Sequence, residues 1–181
     1  MFDLYDRLIS SYLEAGTLIQ GAASLVIIPV MWIFFHQDRV KERRLGIIPN
    51  KKAPVWKYAA VILMALALCL GLNNLINIGN LGASDEVYTE TMNTLYSAAL
   101  PVQIIALGIL VPISEELVFR GLLFKRLRER GTFLQAALYS AVVFGLMHMN
   151  MVQMLYAFIL GMMLAYVCEK YGSVKAPILA H

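Results

Sequence analysis

The chain has 181 residues, 60% of them hydrophobic, and a mean hydropathy of +0.68; soluble domains carry roughly 45–50% apolar residues. That composition excludes a soluble domain and sets the class as integral membrane protein. The net charge of +3 does not call for nucleic acid, because the basic residues fall in loops flanking apolar segments, where membrane orientation places them.

Residues 1–14 carry Asp3, Asp6, Arg7 and Glu14 and lack the basic start and small-residue cleavage site of a signal peptide. The first apolar stretch, 15–35, has Trp32 near one end as an interfacial anchor. Arg39, Lys41, Arg43, Arg44, Lys51, Lys52 and Lys57 follow, offset by Asp38 and Glu42, which marks a cytoplasmic loop. His36 sits at this interface and reads as non-catalytic. Residues 55–78 form the second span, and 80–93, with Asp85, Glu86 and Glu90 and no Lys or Arg, read as an external loop.

The third span, 98–124, is apolar except for Gln103, Ser114, Glu115, Glu116 and Arg120. Pro112 removes a backbone donor just before the carboxylates and predicts a bend or local unwinding there. Lys125, Arg126, Arg128, Arg130 and a turn at Gly131 return the chain to the cytoplasmic side. Residues 133–149 form the fourth span, Asn150 opens a short external turn, and 151–167 form the fifth. After a turn at 171–173, Lys175 and Pro177 begin a sixth helix, with proline in its first turn. Cys69 and Cys168 lie in apolar runs and have no disulfide or zinc-knuckle spacing. The expected fold is an all-α, polytopic transmembrane bundle of at least five spans and the start of a sixth. It forms one domain, with the N-terminus outside and both basic loops inside.

Charge inside a membrane-length segment is costly and usually functional. Glu116 and Arg120 are four residues apart and can pair along one helix face, while Glu115 lies about 100° away and stays free for chemistry. Glu115 lies 16 residues before Gly131 and His148 lies 17 after it. In a helical hairpin the two would face each other near mid-membrane. His181 would enter the same cavity, about 9 Å above Lys175. Glu115, His148 and His181 are the right types to activate water, with the histidines orienting it, donating protons or stabilising an oxyanion. The same two histidines and carboxylate are equally a catalytic zinc set, although the H-E-x-x-H spacing is absent.

E-E-x-x-x-R at Glu115–Arg120, F-x-x-x-H at Phe144–His148 and the later His181 together resemble the CPBP family of CAAX proteases and bacteriocin-processing enzymes, also called the Abi family. The resemblance covers residues from about Val111 to His181, within a protease core expected over about 98–181. It implies an intramembrane endopeptidase similar to type II CAAX prenyl endopeptidases, acting on a peptide or lipidated protein substrate. By motif position, Glu115 would activate water with His148, Glu116 and Arg120 would support the site, and His181 would help form the oxyanion hole. The family's last motif resembles H-x-x-x-N, whose Asn would lie beyond His181, so the chain is expected to stop within its sixth helix. A metal-free glutamate mechanism is preferred to zinc. The competing readings are a non-catalytic bacteriocin-immunity or scaffolding protein with the same fold, and a proton-coupled transporter.

Overall fold

The structure, a computed structural model, describes residues 2–46 and 53–181, with side chains described from Ala15 onward. Lys51, Lys52 and the side chains of Asp3, Asp6, Arg7 and Glu14 lie outside the described residues. Among those described, the regular secondary structure is entirely helical. The helices are α1 (Phe2–Arg44), α2 (Tyr58–Ile78), α3 (Glu86–Tyr96), α4 (Leu100–Arg128), α5 (Phe133–Leu146), α6 (Met151–Tyr171) and α7 (Lys175–Ala180).

Four described helical segments are long and apolar enough to cross a membrane: Ala15–Arg44, Val55–Ile78, Leu100–Arg128 and Met151–Tyr171. They carry large apolar side chains on their outer faces, among them Val26 at 68% exposure, Leu63 at 67% and Leu70 at 64%. Outward-facing apolar surface of that extent is what lipid, rather than water, solvates. The expected fourth span is shorter than anticipated. α5 has 14 residues and rises only about 21 Å against a hydrocarbon core of about 30 Å. The chain leaves the helix at Leu146, turns through Met147 and His148, and takes a left-handed conformation at Met149 (φ 63°) before Asn150 caps α6.

Two other expectations change. The segment expected to be an external loop contains α3, started by Asp85, whose carboxylate accepts the Tyr88 backbone N–H at 2.9 Å. In α4, Pro112 does not unwind the helix. The turns widen to π-helical geometry at Ala106–Leu110, just before Pro112, and again at Leu117–Phe124. The first wide turn accommodates the proline ring and its missing N–H while keeping the helix continuous. The basic residues Lys125, Arg126 and Arg128 also remain helical, so the connection to α5 is short, and Thr132 and Gln135 close it with a reciprocal capping box.

The bundle is built around the α5–α6 pair. Ala137, Ala141 and Gly145 recur every four residues on α5, as do Ala157, Gly161 and Ala165 on α6, and all six are buried. Small residues at this spacing let helix backbones approach closely, which drives association where no hydrophobic effect separates helix from solvent. At Gly161 an added Cβ would lie 3.1 Å from the Ala141 Cβ, 3.2 Å from its Cα and 3.0 Å from Arg120 Nη2. α1 lies along α4, joined by a Ser114–Ser24 hydroxyl hydrogen bond of 3.2 Å. The Thr17 hydroxyl ties α1 to the end of α3 by donating to the Leu95 carbonyl at 3.0 Å. α7 packs against α2, with Val61, Val167 and Ala176 forming one buried cluster.

The helix-pair geometry predicts a contrast between two glycines. Gly161→Ala should destabilise the protein by about 1–3 kcal/mol through overpacking. Gly71→Ala, which meets nothing within 4 Å, should be neutral or slightly stabilising through helix propensity. Thermal unfolding of both variants in the same detergent checks the contrast; equal Tm values would show that the close approach at Gly161 carries no strain.

Candidate active site

Glu115, Glu116 and Arg120 are on α4, Phe144 is on α5 with His148 in the turn just beyond it, and His181 follows α7. Arg120 Nη1 donates to Glu116 Oε1 at 2.8 Å, and both side chains are fully buried. The helix places them four residues apart, so the pair forms without long-range assembly, but tertiary packing supplies everything else around it. The Arg120 guanidinium lies 4.4 Å from the Phe144 ring centroid and 5.9 Å from that of Phe119. Behind it, the absent Cβ of Gly161 leaves the room that Nη2 occupies.

His181 connects the two acids. Its Nδ1 lies 3.0 Å from Glu116 Oε1 and its Nε2 lies 3.5 Å from Glu115 Oε2. Adjacent residues on one helix thus have different surroundings: Glu116 is sealed between Arg120 and His181, whereas Glu115 keeps 28% of its side chain exposed. His148 Nδ1 is 2.9 Å from the Phe144 carbonyl oxygen. That contact requires Nδ1–H to donate and leaves Nε2 available as an acceptor. The Phe144 ring stands edge-on to His148 at 5.0 Å, to His181 at 5.8 Å and to Phe119 at 4.9 Å. Phe144 is therefore the common wall of the site.

The predicted residues converge, with one change in their arrangement. The side chain in direct contact with Glu115 is His181. His148, expected opposite Glu115 on a continuous helix, lies in the turn after α5 because that helix ends at Leu146, and its ring joins the site through Phe144. Ser114, at 5% exposure, is engaged with Ser24 and with the Val111 carbonyl, which fits a packing role. His36 is exposed on α1. Gly161 and the packing role of Phe144 were not legible in the charge pattern, although the four-residue spacing of small side chains on α5 and α6 was a usable signal for the former.

The zinc alternative can be tested on the donors themselves. Among the described residues no three His, Cys, Asp or Glu side chains are grouped so that they could hold a metal ion. The Nδ1 of His148 is engaged by a backbone carbonyl and that of His181 by Glu116, which leaves each Nε2 as the nitrogen able to face a ligand. What the site lacks is protein partners for Arg120 Nε and Nη2 and for Glu116 Oε2, all buried; such groups are the kind that internal water satisfies.

A cavity of about 1220 Å³ opens between α2, α5 and α6 and is lined mainly by apolar side chains, including Leu72, Leu75, Leu146, Leu155 and Phe158. Glu115 and His181 do not line it. It adjoins the site through Gly145, Leu146 and Met149, which flank the His148 turn.

Residues 97–181 match a family model described as type II CAAX prenyl endopeptidase Rce1-like. This part of the chain is thus similar to the Rce1-like CAAX prenyl endopeptidase family, and the matched segment contains every charged residue of the site just described. A Bacillus subtilis (strain 168) protein named "Putative membrane peptidase YdiL" is 35% identical over 83 residues, covering 46% of this chain and 34% of its own length. The chain thus spans about a third of that relative. No solved structure matches it.

Removing one partner of a buried ion pair leaves the other charge uncompensated. Arg120→Ala should therefore cost about 3–5 kcal/mol of stability, far more than Arg126→Ala, whose pair with Asp38 is half-exposed. Denaturation in mixed micelles measures both, and a small loss for Arg120→Ala would mean that Glu116 does not depend on its partner.

Proposed function

We propose that this chain carries the catalytic core of an intramembrane endopeptidase that hydrolyses a peptide bond with water activated by Glu115, without a required metal. The observation that supports this most is the division of labour between neighbouring carboxylates. Glu116 is committed to Arg120, while Glu115 is partly exposed and its one polar contact among the described residues is the outer nitrogen of His181. A carboxylate held in place but not neutralised is what a general base needs.

In this reading Glu115 takes a proton from water as the water oxygen attacks the scissile carbonyl carbon. The carbonyl electron pair moves to oxygen, and His181, held through its Nδ1 by Glu116, stabilises the resulting oxyanion. When the tetrahedral intermediate collapses, the C–N bond breaks and Glu115 returns its proton to the departing amine. His148, fixed by Phe144 in the tautomer with a free Nε2, orients the attacking water. Glu116 and Arg120 hold His181 in place from behind.

The substrate proposed is an apolar or lipidated peptide. Support comes from the name of the matched family, from the relative named as a membrane peptidase, and from the apolar cavity beside the His148 turn. In this reading the chain lies in a bacterial plasma membrane as a bundle of five spans followed by the short helix α7, α5 being the shortest of the five. The N-terminus is outside, and the basic ends of α1 and α4 face the cytoplasm.

Glu115→Gln and His148→Ala should each lower peptide cleavage by about 10²–10⁴-fold while leaving the Tm of the protein in detergent close to wild type. Full-length protein in proteoliposomes with a lipidated peptide is the assay. Retention of cleavage in both variants would remove these residues from the chemistry. Stoichiometric zinc in active protein, lost together with activity on chelation, would replace the metal-free route.

A further inference from the structure

A second cluster of charges lies at the far end of the α1–α4 seam. Phe35 of α1 sets its ring into the notch left by Gly121 of α4, where an added Cβ would be 3.2 Å from the ring. One turn further along each helix, a cation reaches back to that same ring. The Arg39 guanidinium carbon is 5.3 Å from the ring centroid and the Lys125 ammonium 5.4 Å. A π face attracts a cation but does not neutralise it, and two like charges drawn to one ring repel each other.

Three of the acids nearby are already engaged, and a fourth, Glu129, lies one turn beyond Lys125. Asp38 accepts two hydrogen bonds from Arg126, at 2.8 and 3.1 Å, and Glu169 accepts one from Arg128 at 3.1 Å. Glu42 pairs with Arg39. Arg39 Nε, although buried, has no hydrogen-bond partner among the described residues, and Lys125 has no ion pair among them. The two basic segments that meet here, 38–44 and 125–130, carry eight Lys or Arg against three Asp or Glu, so positive charge is in excess at this end of the seam.

Trp32, one turn before Phe35 and 5.8 Å from it between ring centroids, is 55% exposed. An exposed indole next to a basic helix end marks the level of the lipid headgroups. A negative group available at that level is a lipid phosphate.

We propose that Phe35, Arg39 and Lys125 form a binding site for the phosphate of an anionic phospholipid headgroup, with Lys125 Nζ and the exposed edge of the Arg39 guanidinium donating to its oxygens. The lipid would pin α1 to α4 at the basic end of the seam. This site is separate from the carboxylate site, so the inference does not depend on the proposed peptidase activity.

The test uses the whole chain in detergent micelles supplemented with phosphatidylglycerol, phosphatidylcholine or inorganic phosphate. Each Tm shift is measured from the same variant without additive, so a change in intrinsic stability does not imitate lost binding. Phosphatidylglycerol should raise the wild-type Tm by several degrees. Lys125→Arg should keep most of that shift, and Lys125→Gln and Arg39→Gln should lose more than half of it. Phosphatidylcholine and inorganic phosphate should give less than half the wild-type shift. Should the glutamine variants not fold, native mass spectrometry of the wild type supplies the second measurement, with preferential retention of phosphatidylglycerol over phosphatidylcholine as the expected result. No phosphatidylglycerol shift in wild type, equal shifts in wild type and Lys125→Gln, or equal retention of the two lipids would overturn the proposal. A full shift from inorganic phosphate alone would overturn the lipid as the source of the anion.

Discussion

The ion pair between Glu116 and Arg120 is the constraint around which the bundle is arranged. Two charges with no exposed surface in an apolar assembly are tolerable only when each is held against the other and against further polar or aromatic groups. Most of the surrounding structure meets that demand. Phe144 lies against the guanidinium, His181 contacts the carboxylate, and Gly161 gives the arginine its space. The small residues that bring α5 and α6 together thus serve two ends, close backbone packing and room for a buried cation. An ordinary side chain at Gly161 would disturb both.

Neighbouring glutamates acquire different roles through this packing. The helix rotates Glu115 about 100° from Glu116, which carries it out of the sealed pair to a partly open position beside His181. The second set of wide turns in α4 begins immediately after the two acids and extends through Arg120. Such turns recur at functional sites because they redirect side chains without ending the helix. Arg120 can therefore reach Glu116 while its neighbours Phe119 and Leu122 stay in the core.

The α1–α4 seam complements the site at a distance. Along it Gly21 meets Ala106, Ser24 meets Ser114, Phe35 meets Gly121 and Asp38 meets Arg126. The contacts change from small and apolar in the middle to ionic at the basic end, following the change in surroundings from hydrocarbon to headgroup. This seam holds from behind the helix that bears both acids, leaving the opposite face of α4 to Phe144 and His181. The convergence of Arg39 and Lys125 on Phe35 is a consequence of the same register.

Much of this was present in the sequence because it is local. Apolar run length marked the membrane segments, four-residue spacing marked the Glu116–Arg120 pair, and the order of E-E-x-x-x-R, F-x-x-x-H and the final histidine marked the family. The end of α5 was less visible. Residues 133–149 are uniformly apolar apart from Gln135, Ser140 and His148, so composition could not distinguish a full span from a 14-residue helix and a turn. The sequence alone therefore determined the class of protein, the charged residues of the site and the one carboxylate left free. Tertiary structure alone decided that His181 is the side chain touching both acids, that Phe144 is their shared wall and that Gly161 makes room for Arg120. Those contacts join residues from helices far apart in the chain, and their distances depend on how closely the helices pack.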